Sequence, residues 1–414
     1  MTEQPPDEQP DEQTGGQLEP ETKRGGQRST FRRVSLASTL LIALAVTFVL
    51  ARDATSAGLI FLGILIFLVV AHELAHFFTA KLFGIRVLEF GIGFPPRIAG
   101  FRFGETEYTV NWLPFGGFVR LLGEEDPTDT RSLAAAPRWQ RLIVLAAGSV
   151  ANLILPVLLF AMAFSIPHDE SISRAVISSV VPNSPAATAG FEEGDVIHEI
   201  DGRESRNMSD AGRLIRLNLG NEIDVLVRRG EEFVTLQVAP RWTPPAGEGP
   251  TGITIFSQCT QVGGQGCVAF TETVADPPWV SIPRGFDATL DSLVLARNEI
   301  LSWFKGGTSP QVTGPIGIAQ TTGEIARDGG ITPLLQLAAL LSINLGVLNL
   351  LPLPMLDGGR VMFVLLEVVR GGRRIAPEKE ALVHLVGFVL FVALALAVTF
   401  SDISRIANGD SLFR

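Results

Sequence analysis

The sequence predicts a polytopic α-helical membrane protein, with a soluble α/β domain inserted between two helical halves and a β-hairpin lying against the membrane. Three observations predict it. Of the 414 residues, 46% are hydrophobic and 18% charged, with a mean hydropathy of +0.31; a soluble chain usually carries about 25% charge. The apolar residues are gathered into runs long enough to cross a bilayer. Between two of those runs, the pattern changes to the short β-rich segments of a soluble domain.

The chain opens with a tail, 1–33, rich in Pro, Gln, Glu, Gly and Arg, with almost nothing to bury. It reads as a disordered cytoplasmic tail, acidic first and then basic at Lys23, Arg24, Arg28, Arg32 and Arg33. It holds no apolar run, so a cleaved secretory signal is not expected there. A first span follows at 34–51, with Leu40, Leu41, Ile42, Leu44 and Phe48, near the lower limit of about 17 residues. Further spans are expected at 57–83, 141–166, 333–353 and 380–400. The basic residues of the tail, of 81–141 (Lys81, Arg86, Arg97, Arg102, Arg120, Arg131, Arg138, Arg141) and of 356–380 (Arg360, Arg370, Arg373, Arg374, Lys379) all fall on one side if every segment crosses. By the positive-inside rule that side is the cytoplasm, and 167–332 lies outside. A net charge of −10 excludes a nucleic-acid partner, which requires a basic face.

Within 167–332, residues 174–240 show β-rich runs at 175–181, 195–200, 222–228 and 233–238 around a helical stretch at 209–219. The loop Pro182-Asn183-Ser184-Pro185-Ala186-Ala187-Thr188-Ala189-Gly190 and the turn Asp201-Gly202 punctuate them. This order resembles a PDZ domain, which binds a peptide as an added edge strand. The rest, 241–332, divides into a Gly/Pro/Thr-rich linker over 241–280 and an amphipathic helix at 284–305. That helix carries Phe286, Leu290, Leu293, Ile300, Leu301 and Phe304 at helical spacing and is expected on the outer membrane surface. Cys259 and Cys267 lack metal-site spacing and are expected outside, where a disulfide between them persists.

The sharpest motif is His72-Glu73-Leu74-Ala75-His76, in a chain with 5 histidines. Side chains four apart share a helix face, so both imidazoles reach one metal ion, while Glu73 is placed to take a proton from an attacking water. Ionisable groups within a span are costly and are retained there for function. His72 lies about 22 Å along the helix from Ala57, which puts the metal toward the cytoplasmic side of a core about 30 Å thick. A catalytic zinc needs a third protein ligand. The candidate is Asp357 in Asn349-Leu350-Leu351-Pro352-Leu353-Pro354-Met355-Leu356-Asp357-Gly358-Gly359, where two prolines break the end of the fourth span at similar depth. His384 reads as a helix-packing hydrogen bond, and His168 and His198 stand far from this site.

The pair of motifs, H-E-x-x-H in one span and N-x-x-P-x-P-x-L-D-G-G in a later one, resembles the site-2 protease family of intramembrane metalloproteases. The resemblance covers about 57–400, with 57–166 and 333–400 as the two halves of a four-span core and 34–51 as an extra N-terminal span. One inserted PDZ-like domain makes it most similar to the bacterial branch that acts in regulated intramembrane proteolysis. The resemblance implies a cell-membrane zinc endopeptidase with Zn²⁺ on His72, His76 and Asp357 and with Glu73 catalytic. Asn349 and Asn152 are implied substrate-binding residues, Asn349 through its carboxamide and Asn152 through Gly148-Ser149-Val150-Ala151-Asn152. Here Ser149 replaces the proline of the family's Gly-Pro-x-x-Asn, and Gly93-Phe94-Pro95-Pro96 departs from the usual Gly-Phe-Gly-Pro. The implied partners are lipid and transmembrane protein substrates, such as membrane-anchored anti-sigma factors, first shortened outside by a site-1-type protease. The hairpin around Gly104, at 97–112, is implied to receive unwound substrate. A catalytically silent PDZ-containing membrane scaffold is the alternative; the intact His72, Glu73, His76 and Asp357 set speaks against it.

Overall fold

The computed structural model describes residues 52–124, 126–261, 267–306 and 314–408; the expected tail and first span lie outside them. Helix α1 (Arg52–Leu82) runs unbroken from the apolar segment through His72 and His76. Gly84, with φ of +73°, ends it with the left-handed turn that glycine adopts without Cβ strain. The chain then forms an antiparallel ribbon of β1 (Val87–Phe103) and β2 (Thr106–Leu121), turning at Gly104 (φ +61°). The ribbon is longer than the expected hairpin and folds back on itself. Glu89 pairs with both Arg120 and Glu107, so 87–92 lies between 117–121 and 106–110. At the tip, Glu105 accepts from Lys81 and from Arg131, at 2.7 Å each, and these bonds hold its carboxyl below the usual carboxylate range. Helix α2 (Arg138–Ser165) follows. Ala80, Val87, Leu121, Val144 and Leu145 pack α1, the ribbon and α2 together.

The inserted domain begins with β3 (His168–Ser171), β4 (Ala175–Val180), α3 (Pro185–Ala189), β5 (Val196–Ile200), β6 (Arg203–Glu204) and α4 (Met208–Leu217). It continues with β7 (Ile223–Arg229), β8 (Glu232–Val238), β9 (Ile253–Ser257), β10 (Cys259–Gln261), β11 (Cys267–Ala269) and β12 (Thr271–Val274). The sheet order is β8-β7-β5-β4-β9, with β6 on β5. Alternating inward residues such as Ile177, Ile197, Ile200, Val225 and Val227 meet Ala211, Leu214 and Ile215 of α4 in one core. Serine and glycine punctuate the loop before β5: Ser184 caps α3 through the Ala187 amide, and Gly190 closes it in the left-handed region. Asp195, fully buried, accepts two bonds from Arg229 at 2.8 Å and one from the Glu192 amide.

Here the structure differs from the expected linker over 241–280. Ile253–Ser257 is the edge strand β9, paired with β4. Glycine and proline density hid a five-residue apolar alternation. The domain hangs on a two-stranded stem in which β12 pairs with β3, Thr271 opposite Ser171 and Val274 opposite His168. β10 and β11 pair antiparallel, so the segments carrying Cys259 and Cys267 are neighbours.

Helix α5 (Pro278–Phe304) leads from the stem. It packs on α2, where Gly285 meets the backbone of Val157 and Ala161. It also grips β6 and α4: Asp291 accepts from Arg203 of β6 and Arg213 of α4, and the Asn298 amide donates to the carbonyls of Arg216 and Leu217 at 2.8 and 3.1 Å. Trp279, Phe286, Leu290 and Phe304 remain exposed on it. Then come α6 (Pro315–Asp328), α7 (Ile331–Leu350), α8 (Asp357–Val369) and α9 (Pro377–Ala407). The buried Asp402 of α9 accepts from the Gly314 and Gly317 amides at the start of α6. Glu367 of α8 accepts from Arg138 at 3.1 Å and Arg141 at 2.7 Å, pinning α8 to the start of α2. Among the described residues, four helices are long and apolar enough to cross a membrane: Ser56–Leu82, Arg138–Ser165, Ile331–Leu350 and Pro377–Arg405.

Candidate metal centre

The site begins with one helical repeat. His72 and His76 of α1 are both buried and turn their rings the same way, so that their Nε2 atoms lie 3.2 Å apart. Asp357, the first residue of α8, reaches them from 281 residues further on: its Oδ2 is 3.0 Å from His72 Nε2 and 3.2 Å from His76 Nε2. The three predicted ligands therefore converge, and among the described residues they form a cluster able to hold a metal ion.

What brings Asp357 there is the break after α7. Leu351, Pro352 and Leu353 leave the helix, and Met355 takes a φ of +72° before α8 begins. A Cβ on Gly358 would overlap the carbonyls of Leu350 and Leu351, and one on Gly359 the carbonyl of Leu353. The two glycines of the Asp-Gly-Gly motif thus let α8 start directly against the end of α7. Helix α9 closes the loop from the other side. His384 Nδ1 accepts the Met355 amide at 2.7 Å, and Gly387, one turn on, leaves room for the ring of Pro354.

The donor set fits a small divalent ion. Tetrahedral ligands about 2.0–2.1 Å from zinc stand about 3.3 Å from one another, close to the separations seen here. Helix α2 forms the back wall. A Cβ on Gly148 would overlap Nε2 of both His72 and His76, so the space beside the nitrogens exists because residue 148 has no side chain. The outer nitrogens are also held: His76 Nδ1 donates to the Val144 carbonyl at 2.7 Å, which leaves Nε2 free to ligate. Two imidazoles and one carboxylate suit zinc and leave a fourth position open. Glu73 follows the first ligand, half-buried, and faces the ribbon, its Cγ 3.2 Å from where a Cβ on Gly117 would stand.

The remaining predicted residues have mixed positions. Asn152 is fully buried, with its amide nitrogen 3.2 Å from His72 Nδ1. Asn349 lies half-buried at the end of α7, one residue before the helix stops. His384 bonds the Met355 backbone instead of another helix's side chain. Sequence reasoning missed the roles of Val144 and Gly148. Val144 acts through a carbonyl, which leaves no residue-type signal. Gly148 does leave one, a glycine inside an apolar span four positions before Asn152.

Comparison with known proteins bears on this constellation. The model of peptidase family M50 matches residues 60–394, which include both motifs. The chain belongs to peptidase family M50. The resemblance to the site-2 proteases is thereby confirmed, and the M50 chain is a metallopeptidase with membrane-spanning helices. A Clostridium perfringens protein with a provisional zinc-metalloprotease name is 36% identical over 81% of this chain and 95% of its own. The regulator of sigma-W protease RasP of Bacillus subtilis is 29% identical over 84% of this chain and 98% of its own. The zinc metalloprotease RasP of Oceanobacillus iheyensis is 28% identical over 82% of this chain and 96% of its own.

Proposed function

We propose that this M50 chain is an intramembrane zinc endopeptidase that cleaves transmembrane proteins after a first cut on the far side of the membrane. The observation that carries the reading is the meeting of His72 and His76, on a helix apolar enough to lie in a bilayer, with Asp357, which follows the end of a second such helix. Zinc held by these residues would polarise a scissile carbonyl and make water acidic enough to lose a proton near neutral pH. Glu73 takes that proton and passes it to the departing amine, as its place beside the ligands suits a general base and then acid. Asn349, on the helix that ends at the Asp357 loop, holds the substrate backbone or the developing oxyanion with its carboxamide.

A transmembrane helix hides its carbonyls and must unwind before attack. Residues 117–121 of β2 form a ribbon edge beside Glu73, suited to taking the unwound segment as an added strand. The inserted sheet with α4 alongside β9 reads as a PDZ-like domain. The basic loops support an extracytoplasmic position for it and a cytoplasmic N-terminus. The name of the Bacillus subtilis relative, a regulator of a sigma factor, supports a membrane-anchored anti-sigma factor as one substrate class, trimmed beforehand by a site-1-type protease.

The test is cleavage of a membrane-anchored reporter by purified protein in lipid vesicles, with metal content measured in parallel. Glu73→Gln should keep its zinc and lose proteolysis by at least about 100-fold, because the ligands remain and the proton acceptor is gone. Undiminished cleavage by this variant would sink the mechanism.

A further inference from the structure

From the packing of α2 on the metal centre, we infer that Asn152 is a positioning residue for the ligand His72 rather than a substrate contact. The inference rests on the metallopeptidase reading above and gives a purpose to a residue which that reading leaves without one.

Three residues of α2 face the two histidines at spacings of four: Val144, Gly148 and Asn152. Residues four apart lie on one face of a helix, so they form a single stripe. The histidines are also four apart, on α1. The stripe meets them in order along the two helices. Val144 takes His76 Nδ1 at 2.7 Å, Gly148 clears the space at both Nε2 atoms, and Asn152 stands 3.2 Å from His72 Nδ1.

The chemistry at Asn152 decides its role. His72 turns Nε2 toward Asp357 and His76. When that nitrogen ligates a metal, its lone pair is used and the ring proton sits on Nδ1. An acceptor must then face Nδ1. The amide as placed presents Nδ2, while Oδ1 is buried without a hydrogen-bond partner among the described residues. The two ends of a carboxamide exchange by a half-turn of the side chain. After that turn Oδ1 accepts the Nδ1 proton, so the acceptor is no longer orphaned, and Nδ2 takes the place that Oδ1 leaves. His72 is then held as His76 is, one by a side-chain oxygen and the other by a backbone carbonyl. Complete burial fits a positioning role, since no surface of Asn152 is left for a substrate to touch. Ser342 steadies the position by donating to the backbone carbonyl of Asn152 at 2.8 Å.

The experiment measures how fast the purified full-length protein gives up zinc, or cobalt in its place, to a competing chelator. Wild type, Asn152→Leu, Asn152→Asp and His72→Ala are compared, with the visible spectrum of the cobalt forms recorded. Asn152→Leu removes the acceptor and should weaken metal retention about 10- to 100-fold. Asn152→Asp keeps an oxygen at the same place and should retain metal at least as well as wild type, with a ligand-field spectrum close to it. Unchanged retention in Asn152→Leu together with a raised KM would overturn the inference in favour of substrate contact. Loss in Asn152→Asp as large as in Asn152→Leu would overturn it as well. If wild type and His72→Ala hold metal equally, the ligand assignment itself has failed, a result separate from either.

Discussion

At Gly148 the backbone of α2 comes against the nitrogen atoms of both candidate ligand histidines, and any side chain there would fill the space beside those nitrogens. Gly148→Ala should therefore abolish zinc binding while leaving the helix intact, since alanine is the better helix former by about 1 kcal/mol. Metal analysis joined with circular dichroism checks this: full helicity with zinc content near zero is the expected outcome. A variant that binds one zinc per chain would show that α2 can withdraw. Glu73 differs in kind. On the proposed mechanism, substitution of Glu73 should remove chemistry from a site that still binds, and substitution of Gly148 should remove the site. His72, Glu73 and His76 are legible in the sequence, because each is costly in an apolar segment and their spacing suits one metal ion; Asp357 is legible only through its pairing with them, since Asp-Gly-Gly after prolines alone reads as a turn. Gly148 belongs to a legible motif, yet its purpose depends on a neighbouring helix, and no pattern along the chain shows where two helices touch.

The loop between α7 and α8 sets Asp357 by means that belong to the element as a whole. Its prolines break the helix, its glycines allow the close return, and α9 holds Met355 through His384. His384→Leu removes the acceptor for a backbone amide, at a cost of about 1–3 kcal/mol. It should loosen the third ligand without touching the first two. Faster zinc loss to a chelator, with Glu73-dependent cleavage restored by excess zinc, is the expected result; unaltered metal kinetics would detach α9 from the site. In the inserted domain, Asp195 plays a comparable part for the turn into β5. Burial raises its pKa, but the two bonds from Arg229 and the Glu192 amide outweigh this and hold it below its ordinary value of 3.8. A depressed acid stabilises the fold above its unfolded value and loses that contribution as pH falls through the folded one. Asp195→Asn should thus lower hydrogen-exchange protection of β4 and β5 at neutral pH, and the difference from wild type should vanish in strong acid. An equal difference at every pH would exclude the ionic bond as its source. Strands β4, β5, β7 and β8 of this domain and the four long helices follow from periodicity and apolar length. β9 does not, because its short alternation lies among glycines and prolines that read as linker. The fold-back of the ribbon is equally invisible, since one strand pairing on both its edges is a matter of register between distant residues.

Taken whole, the molecule joins the metal centre and the inserted domain through α2 and α5, which lie against each other while α5 also grips α4. The stem of β3 and β12 brings the ends of the domain side by side, so 172–270 can be excised and Ser171 joined to Thr271 through a short flexible link. On the proposed topology the domain stands outside, too far from the zinc to hold the scissile bond, and we propose that it selects substrates by access, refusing a bulky outer portion and admitting a trimmed stub, rather than by capturing a newly exposed C-terminus. On that account the excised enzyme should cut full-length substrate in cells and the intact enzyme should not. Continued refusal of full-length substrate, with trimmed substrate still cut, is the result that ends the size-filter account. The separation of the ligands has a bearing on biosynthesis as well. His76 and Asp357 are 281 residues apart. While the ribosome is still short of residue 357, the nascent chain carries two histidines and a glutamate but no complete site. On the proposed ligand set, the metallopeptidase therefore passes most of its own synthesis without a complete metal site, which it gains only as its final helices are made.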